Sequence, residues 1–272
     1  MFGGIAAAGG DRAVYATHDG SVFFFDVDGG GVTGRFDHFP YEPGTAHFCD
    51  VSVHEDGALF LADLSNCRVR RFDPAGVQVR RYGGRCNPGL VSHDEARILD
   101  EPRALLALGD TLWVCCGGAE LRHGVQQFAV AGHHVRSVPR EGNPDLRWRY
   151  PQGIALVGGA VWICETGGGS LHVHTPDGAF VSALELDPEL CHPIRLAPDR
   201  FGGALLLAEN AELEPCGVVR LDAQGEADEQ VVAVGAEPGR VCHPFDVAAL
   251  PDGRFLVAEL TGFDPPDLRL QL

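Results

Sequence analysis

Short apolar runs separated by Gly, Pro and Asp turns follow one another along the whole chain, and no helical periodicity outlasts a single turn. The clearest stretch runs from Cys242-His243-Pro244 to Glu259. It is an apolar strand, a turn at Gly253, and a second apolar strand ending on a small residue and a carboxylate, Ala258-Glu259. The same pattern recurs from Tyr150-Pro151 to Glu165, from His192-Pro193 to Glu209, from Glu101-Pro102 to Cys116 and from His47-Phe48 to Asp63. A weaker copy runs from Phe2 to His18. Marked at the proline or its equivalent (Phe2, Phe48, Pro102, Pro151, Pro193, Pro244), the units lie roughly 48 residues apart, a spacing expected of propeller blades.

Each unit continues with two further strand-like runs. Asp73 to Gly76 joins them in the second unit, and Thr175 to Gly178 and Asp222 to Gly225 stand at the matching places, where glycine supplies a positive φ. Four strands per unit and six units predict one all-β domain over 1–272, a six-bladed β-propeller with four-stranded blades. The blades fall near 2–38, 47–84, 101–138, 150–186, 192–234 and 243–272. After the last hairpin the chain supplies a single further strand, so the last blade is expected to have three strands. Its edge would be open to pairing with a second copy.

Composition narrows the function classes. A net charge of −17 argues against nucleic acid, whose phosphates need a basic footprint. No apolar run approaches the roughly 20 residues of a membrane helix, and no secretory leader is expected after Met1. Nine cysteines, an odd number set mostly within apolar strands, read as reduced thiols in a cytoplasmic setting, with the vicinal Cys115-Cys116 as the pair able to form a disulfide.

The second unit carries the most specific motif: a glycine turn at Gly57, an apolar strand to Asp63, then Asn66, Arg68 and Phe72. It resembles an NHL repeat. The other units keep the strand rhythm and the proline without the Asp-to-Arg run, so the resemblance implies a fold and not a function. The arginines of this unit, Arg68, Arg70, Arg71, Arg80, Arg81 and Arg85, read as solvated charge on outer strands, with a partner-binding patch as the alternative. In the fourth unit the alternation of Leu171, His172, Val173 and His174 puts both histidines on one strand face.

Candidate chemistry appears when the units are overlaid. The residue before the mark is His47, Glu101, Tyr150, His192 and His243 in units two to six. Three imidazoles from separate rigid strands are what one divalent transition metal ion (Zn, Cu, Fe or Mn) needs, with positions left for water or substrate. Glu101 is the candidate fourth ligand or general base and Tyr150 the candidate proton donor. A second ring, at the ends of the second strands, includes Glu165, Glu209 and Glu259, carboxylates able to orient the histidines or to cap their own hairpins. Arg103 and Arg195, with Asp50 and Asp246, could make ion pairs lining the channel or bind a substrate carboxylate, and Trp148 could wall a ligand site.

The three histidines, with a tyrosine nearby, are similar to the zinc site of the peptidyl-α-hydroxyglycine α-amidating lyases, six-bladed NHL-type propellers. In that family the metal histidine follows the proline, whereas His47, His192 and His243 precede it or its equivalent, so the lyase activity is not carried over. Gluconolactonase-like propellers place carboxylate and Asn ligands just after the mark, where this chain has Cys49, Arg103, Gln152, Ile194 and Phe245. The expectation is a metal-dependent enzyme of lyase, hydrolase or oxidase type. It would act on a small molecule or modified peptide in the central channel. The competing expectation is a non-catalytic NHL-like scaffold that binds a protein partner on the channel face.

Overall fold

A computed structural model describes residues 3–37, 47–83, 99–117, 124–237, 239–260 and 268–271. They form antiparallel sheets in which consecutive strands are neighbours. The chain divides into two compact units, Met1–Pro139 and Arg140–Leu272.

The first unit holds three four-stranded sheets. These are β1 (Gly4–Ala7), β2 (Arg12–Ala16), β3 (Ser21–Asp26) and β4 (Gly31–Asp37); β5 (Phe48–Val53), β6 (Leu59–Asp63), β7 (Arg68–Phe72) and β8 (Gln78–Gly83); and β9 (Pro102–Leu108), β10 (Thr111–Cys116), β11 (Val125–Ala129) and β12 (His134–Val138). The second unit holds β13 (Pro151–Val157), β14 (Ala160–Glu165), β15 (Ser170–His174) and β16 (Phe180–Glu185), then β17 (His192–Pro198), β18 (Ala204–Glu209), β19 (Pro215–Leu221) and β20 (Ala227–Val232). Its last sheet is β21 (His243–Ala249), β22 (Phe255–Leu260) and β23 (Leu268–Gln271). Among the described residues five sheets are four-stranded. The last sheet has the three strands that the short tail predicts.

The second strand of a sheet reads as a continuous apolar run because it is covered on both faces: every residue of β6 is buried, as are nearly all those of β10, β14 and β18. Fourth strands are the most exposed, and β16 alternates with solvent residue by residue. In the first unit Val14, Phe48, Leu61 and Phe72 pack together, and Phe60, Val69, Leu105 and Val114 form a second core cluster. In the second unit Trp162, Leu171, Leu196 and Leu206 make one cluster and Leu205, Val218, Val247 and Val257 another.

The outer hairpins are tied by side chains that bond their own turn. Asp73 Oδ1 accepts from the N–H of Ala75 (3.0 Å) and Val77 (2.9 Å), and Asp222 does the same for Gln224 and Glu226. The first strands share a different device. In β5, β9, β13, β17 and β21 the pairing register slips by one residue just after the mark, so Cys49, Arg103, Gln152, Ile194 and Phe245 are the extra residues of β-bulges.

Close approach of first strands is what glycine permits here. A Cβ on Gly153 would lie 2.7 Å from the Ile194 carbonyl oxygen and 3.0 Å from Arg195 Cα. Gly153→Ala should therefore push β13 from β17 and lower stability by about 1–3 kcal/mol, the usual cost of overpacking. Urea unfolding measures this, and an unchanged midpoint would show that the strands can separate freely.

Candidate functional site at the strand-start rim

In every sheet built on the mark, the first strand begins where the second ends, so the residues before the mark and the last residues of the second strand share one edge. Phe48 lies opposite Asp63, Pro151 opposite Glu165 and His192 opposite Glu209. The rim these ends make is described for each unit in turn.

In the first unit, Asp63 is fully buried and accepts from three side-chain N–H groups. Asn66 Nδ2 reaches Oδ1 at 2.9 Å and Oδ2 at 3.0 Å, and Arg70 Nε reaches Oδ2 at 2.6 Å. The Asp63-to-Asn66 part of the NHL-like spacing is thereby explained. Asn66 sits in the 3-10 turn Leu64–Asn66, closed by Cys67 in the left-handed region (φ 52°), and Arg70 returns on β7 to neutralise the carboxylate. Arg70 is buried, contrary to its reading as solvated outer-strand charge. Removing one member of such a buried pair leaves the other as an uncompensated buried charge.

The same turn meets His47. The Leu64 N–H donates to the His47 carbonyl at 3.0 Å, and Ser65 Oγ lies 2.5 Å from His47 Nδ1. The His47 ring stacks on His18, centroids 4.7 Å apart and planes inclined by 25°. Burial and the neighbouring His47 hold the His18 imidazole below its ordinary value, against an opposing pull from Asp19. Glu101 has a positive φ of 49° and accepts from Arg103 Nη2 at 2.7 Å, so these two predicted site residues pair with each other.

In the second unit, His192 and Glu209 face each other across β17 and β18. Burial raises the Glu209 carboxyl above its ordinary value, and His192 opposes that rise. His192 Nδ1 lies 3.3 Å from the Thr166 carbonyl, and the Thr166 N–H donates to the Tyr150 carbonyl at 3.2 Å, so Tyr150, Thr166 and His192 follow one another along the rim. Tyr150, like Glu101, is in the left-handed region, with φ 64°. Arg195 NH1 donates to the carbonyls of Gln152 and Ile194, and Arg195 Nε lies 3.6 Å from Asp246 Oδ1. His243 is exposed, and the buried Glu259 accepts the N–H of Cys242 beside it at 2.6 Å.

Glu165 is a cap of the same kind with more partners. Arg140 donates to both of its oxygens (2.7 and 2.8 Å), the Arg149 N–H donates at 2.8 Å, and His172 Nε2 lies 3.2 Å away. Burial works against the ionised form, but the bonds from His172, Arg140 and Arg149 outweigh it and bring the carboxyl down to about 2. Glu165 and Glu259 therefore secure backbone beside the mark, the capping role, and Glu209 alone of the three lies across from a rim histidine.

His172 and His174 are fully buried, and Trp148 packs edge-on to His172 (5.0 Å) and beside His174 (5.8 Å), with Phe180 completing the aromatic cluster. Trp148 is thus core to these histidines. Burial, helped by the charge of His172 and opposed by a bond at Gly178, lowers His174 to about 4. Cys115 and Cys116 are both buried, and burial pushes the Cys116 thiol far up. Among the described residues no group of three or more His, Cys, Asp or Glu side chains is placed to hold a metal ion, and no helix is long and apolar enough to cross a membrane.

Sequence reasoning missed Ser65, Thr166 and Arg140. Ser65 was within sight, since it sits inside the Asp63-to-Asn66 motif. Arg140 comes from a connector whose pairing no repeat pattern encodes.

Comparison with protein families finds no match, and comparison with curated proteins finds none. Solved structures are similar over nearly the whole chain. A streptogramin B lyase shares 15% identity at a TM-score of 0.64, with 100% of this chain and 82% of that one covered. A catalytically inactive His-to-Ala variant of virginiamycin B lyase from Staphylococcus aureus, with quinupristin, shares 14% identity at 0.65, covering 99% and 83%. A gluconolactonase from Xanthomonas campestris shares 16% identity at 0.67, covering 99% and 85%. At these identities the likeness establishes the fold, a β-propeller.

The buried titratable groups set a pH dependence of stability. Folded His174 stays neutral down to about 4 while the unfolded side chain takes its proton near 6.5, so its contribution is complete above pH 6.5 and is lost as pH falls through 4. That gap corresponds to about 3 kcal/mol. Glu165 acts lower, with its contribution complete above 4.5 and lost as pH falls toward 2. In melting curves between pH 7 and 4, His174→Phe should flatten the decline in Tm that the native protein shows. An equally steep decline in the variant would place the titrating group elsewhere.

Proposed function

We propose that this protein is an enzyme of lyase or hydrolase type acting on a small molecule or modified peptide, with His192 and Glu209 as its acid–base pair. The observation that carries this reading is the cross-strand placement of an imidazole and a half-buried carboxyl at the open start of β17. Burial favours the protonated carboxyl, which suits it to hold a proton for a leaving group while the imidazole removes one from substrate or water. Tyr150, linked to His192 through Thr166, lines the same rim. Enzymes among the similar structures support the reading, as does the His-to-Ala change that inactivates virginiamycin B lyase.

Purified protein should turn over quinupristin or a gluconolactone, followed by liquid chromatography and by acid release. His192→Ala should lower kcat on the order of 10²–10⁴-fold with melting unchanged, and Glu209→Gln should remove the acidic or basic limb of the pH–rate profile. Absence of turnover of both compounds, with zinc, manganese, iron and copper each supplied, would discard the reading and leave a binding scaffold.

The metal-ion assignment of His47, His192 and His243 is a separate proposal, supported by their equivalent places before the mark in three repeats. Elemental analysis should find near-stoichiometric transition metal in the native protein and a loss of it in His243→Ala. No metal after incubation with those four ions would remove the assignment without touching the acid–base pair.

A further inference from the structure

Ser65 stands out among the rim residues because its hydroxyl is directed at an imidazole. Its Oγ lies 2.5 Å from His47 Nδ1, and in the Nε2–H tautomer of His47 the hydroxyl donates that hydrogen bond. A hydroxyl bonded to an imidazole, itself held by a further group, is the arrangement that activates a serine for attack. The further group here is His18, whose ring stacks on His47, while the His47 carbonyl is tied to the Leu64 N–H.

The turn that carries Ser65 is rigid. Asp63 and Asn66 bond each other on either side of it, Arg70 locks Asp63, and the Cys67 N–H closes the turn on the Leu64 carbonyl at 3.2 Å. Both Ser65 and His47 are half-buried, and the His18 beside them is exposed.

The hydroxyl is not needed to build the turn. In the sheet β13–β16 the second strand ends on Glu165 as β6 ends on Asp63, and the 3-10 turn Thr166–Gly168 follows with Gly167 in the place of Ser65 and Tyr150 in the place of His47. The same turn forms there with no side chain at the position.

We propose that Ser65, activated by His47, is a nucleophile that forms an acyl-enzyme with small carboxylic esters or lactones. Ser65 Oγ–H passes its proton to His47 Nδ1 as Oγ bonds to the ester carbonyl carbon. The carbon–alkoxy bond breaks, and the leaving oxygen takes the proton from the imidazolium. Water then gives a proton to His47 and bonds to the acyl carbon, the bond to Oγ breaks, and Ser65 regains its proton. One ester and one water become one acid and one alcohol, with no redox partner. The proposal goes beyond the His192 and Glu209 reading and uses none of its residues; it excludes His47 as a metal ligand, because with Nδ1 accepting from Ser65 and Nε2 carrying its proton neither ring nitrogen is left for a metal ion.

The test is labelling of the full chain with a fluorophosphonate, read by intact mass and peptide mapping. One adduct on Ser65 is expected, absent in Ser65→Ala and formed at least about 100-fold more slowly in His47→Gln. With p-nitrophenyl acetate, the native protein should release a burst of about one equivalent of nitrophenol, which Ser65→Ala loses. Circular dichroism melting checks each variant. Should His47→Gln fail to fold, Ser65→Cys substitutes, and its thiol should react with iodoacetamide faster than Cys67 in the same chain. No adduct on Ser65, or labelling at the same rate in folded His47→Gln, would overturn the proposal. So would a Ser65→Cys thiol no faster than Cys67. The adduct is read by mass and not by turnover, so failure of the acid–base pair leaves this test intact.

Discussion

A carboxylate buried at the end of a second strand is the constraint from which much of the rim follows. Charge removed from water must be met by hydrogen bonds and opposite charge, and each such group meets that need with a different part of the chain. Asp63 recruits Asn66 and Arg70 from its own hairpin. Glu165 recruits Arg140 and the Arg149 N–H from the connector before β13, along with His172 from β15. Glu259 takes the Cys242 N–H. For Glu165 and Glu259 one partner is the N–H of the residue just before Tyr150 or His243, so satisfying the charge also fixes the backbone that presents them.

A second constraint acts alongside it. The first strands bulge just past the mark and, at Gly153, approach a neighbouring first strand closely enough to exclude a Cβ. The bulge redirects the strand between its first residue and its second half, allowing the former to face the rim while the latter pairs in the sheet. Left-handed φ values at Glu101 and Tyr150, both directly before a proline, belong to the same redirection. Such conformations persist only where surrounding bonds over-determine them, and the Gly117 N–H to the Glu101 carbonyl and the Thr166 N–H to the Tyr150 carbonyl are among those bonds.

Chemistry at this edge is accordingly of two kinds. Groups that are fully covered, such as Asp63, Glu165, His172 and His174, have their ionisation dictated by burial and fixed partners and serve stability. Groups that are half-covered, such as Ser65, His47, His192 and Glu209, keep a side open to solvent and can exchange protons with a bound molecule. Sequence type does not separate the two kinds: a glutamate ends β14 and another ends β18, one a cap and the other across from an imidazole.

By itself the sequence determined the strand order, the hairpin turns, the place of each mark and the three-stranded last sheet. These depend on local rules: alternation or continuity of apolar residues, glycine where φ is positive, and the repeat of one pattern at a near-constant interval. Even the Asp63 and Asn66 spacing was legible, because both ends of that bond lie within one turn. Tertiary structure decided what the polar residues do. That Arg70 is an internal counter-ion and not surface charge, that His172 and His174 pack under Trp148, and that Ser65 reaches His47 all depend on which distant segment covers which side chain. Burial and partnership across many residues of chain leave no local periodicity, so no pattern of residue types alone could have assigned them.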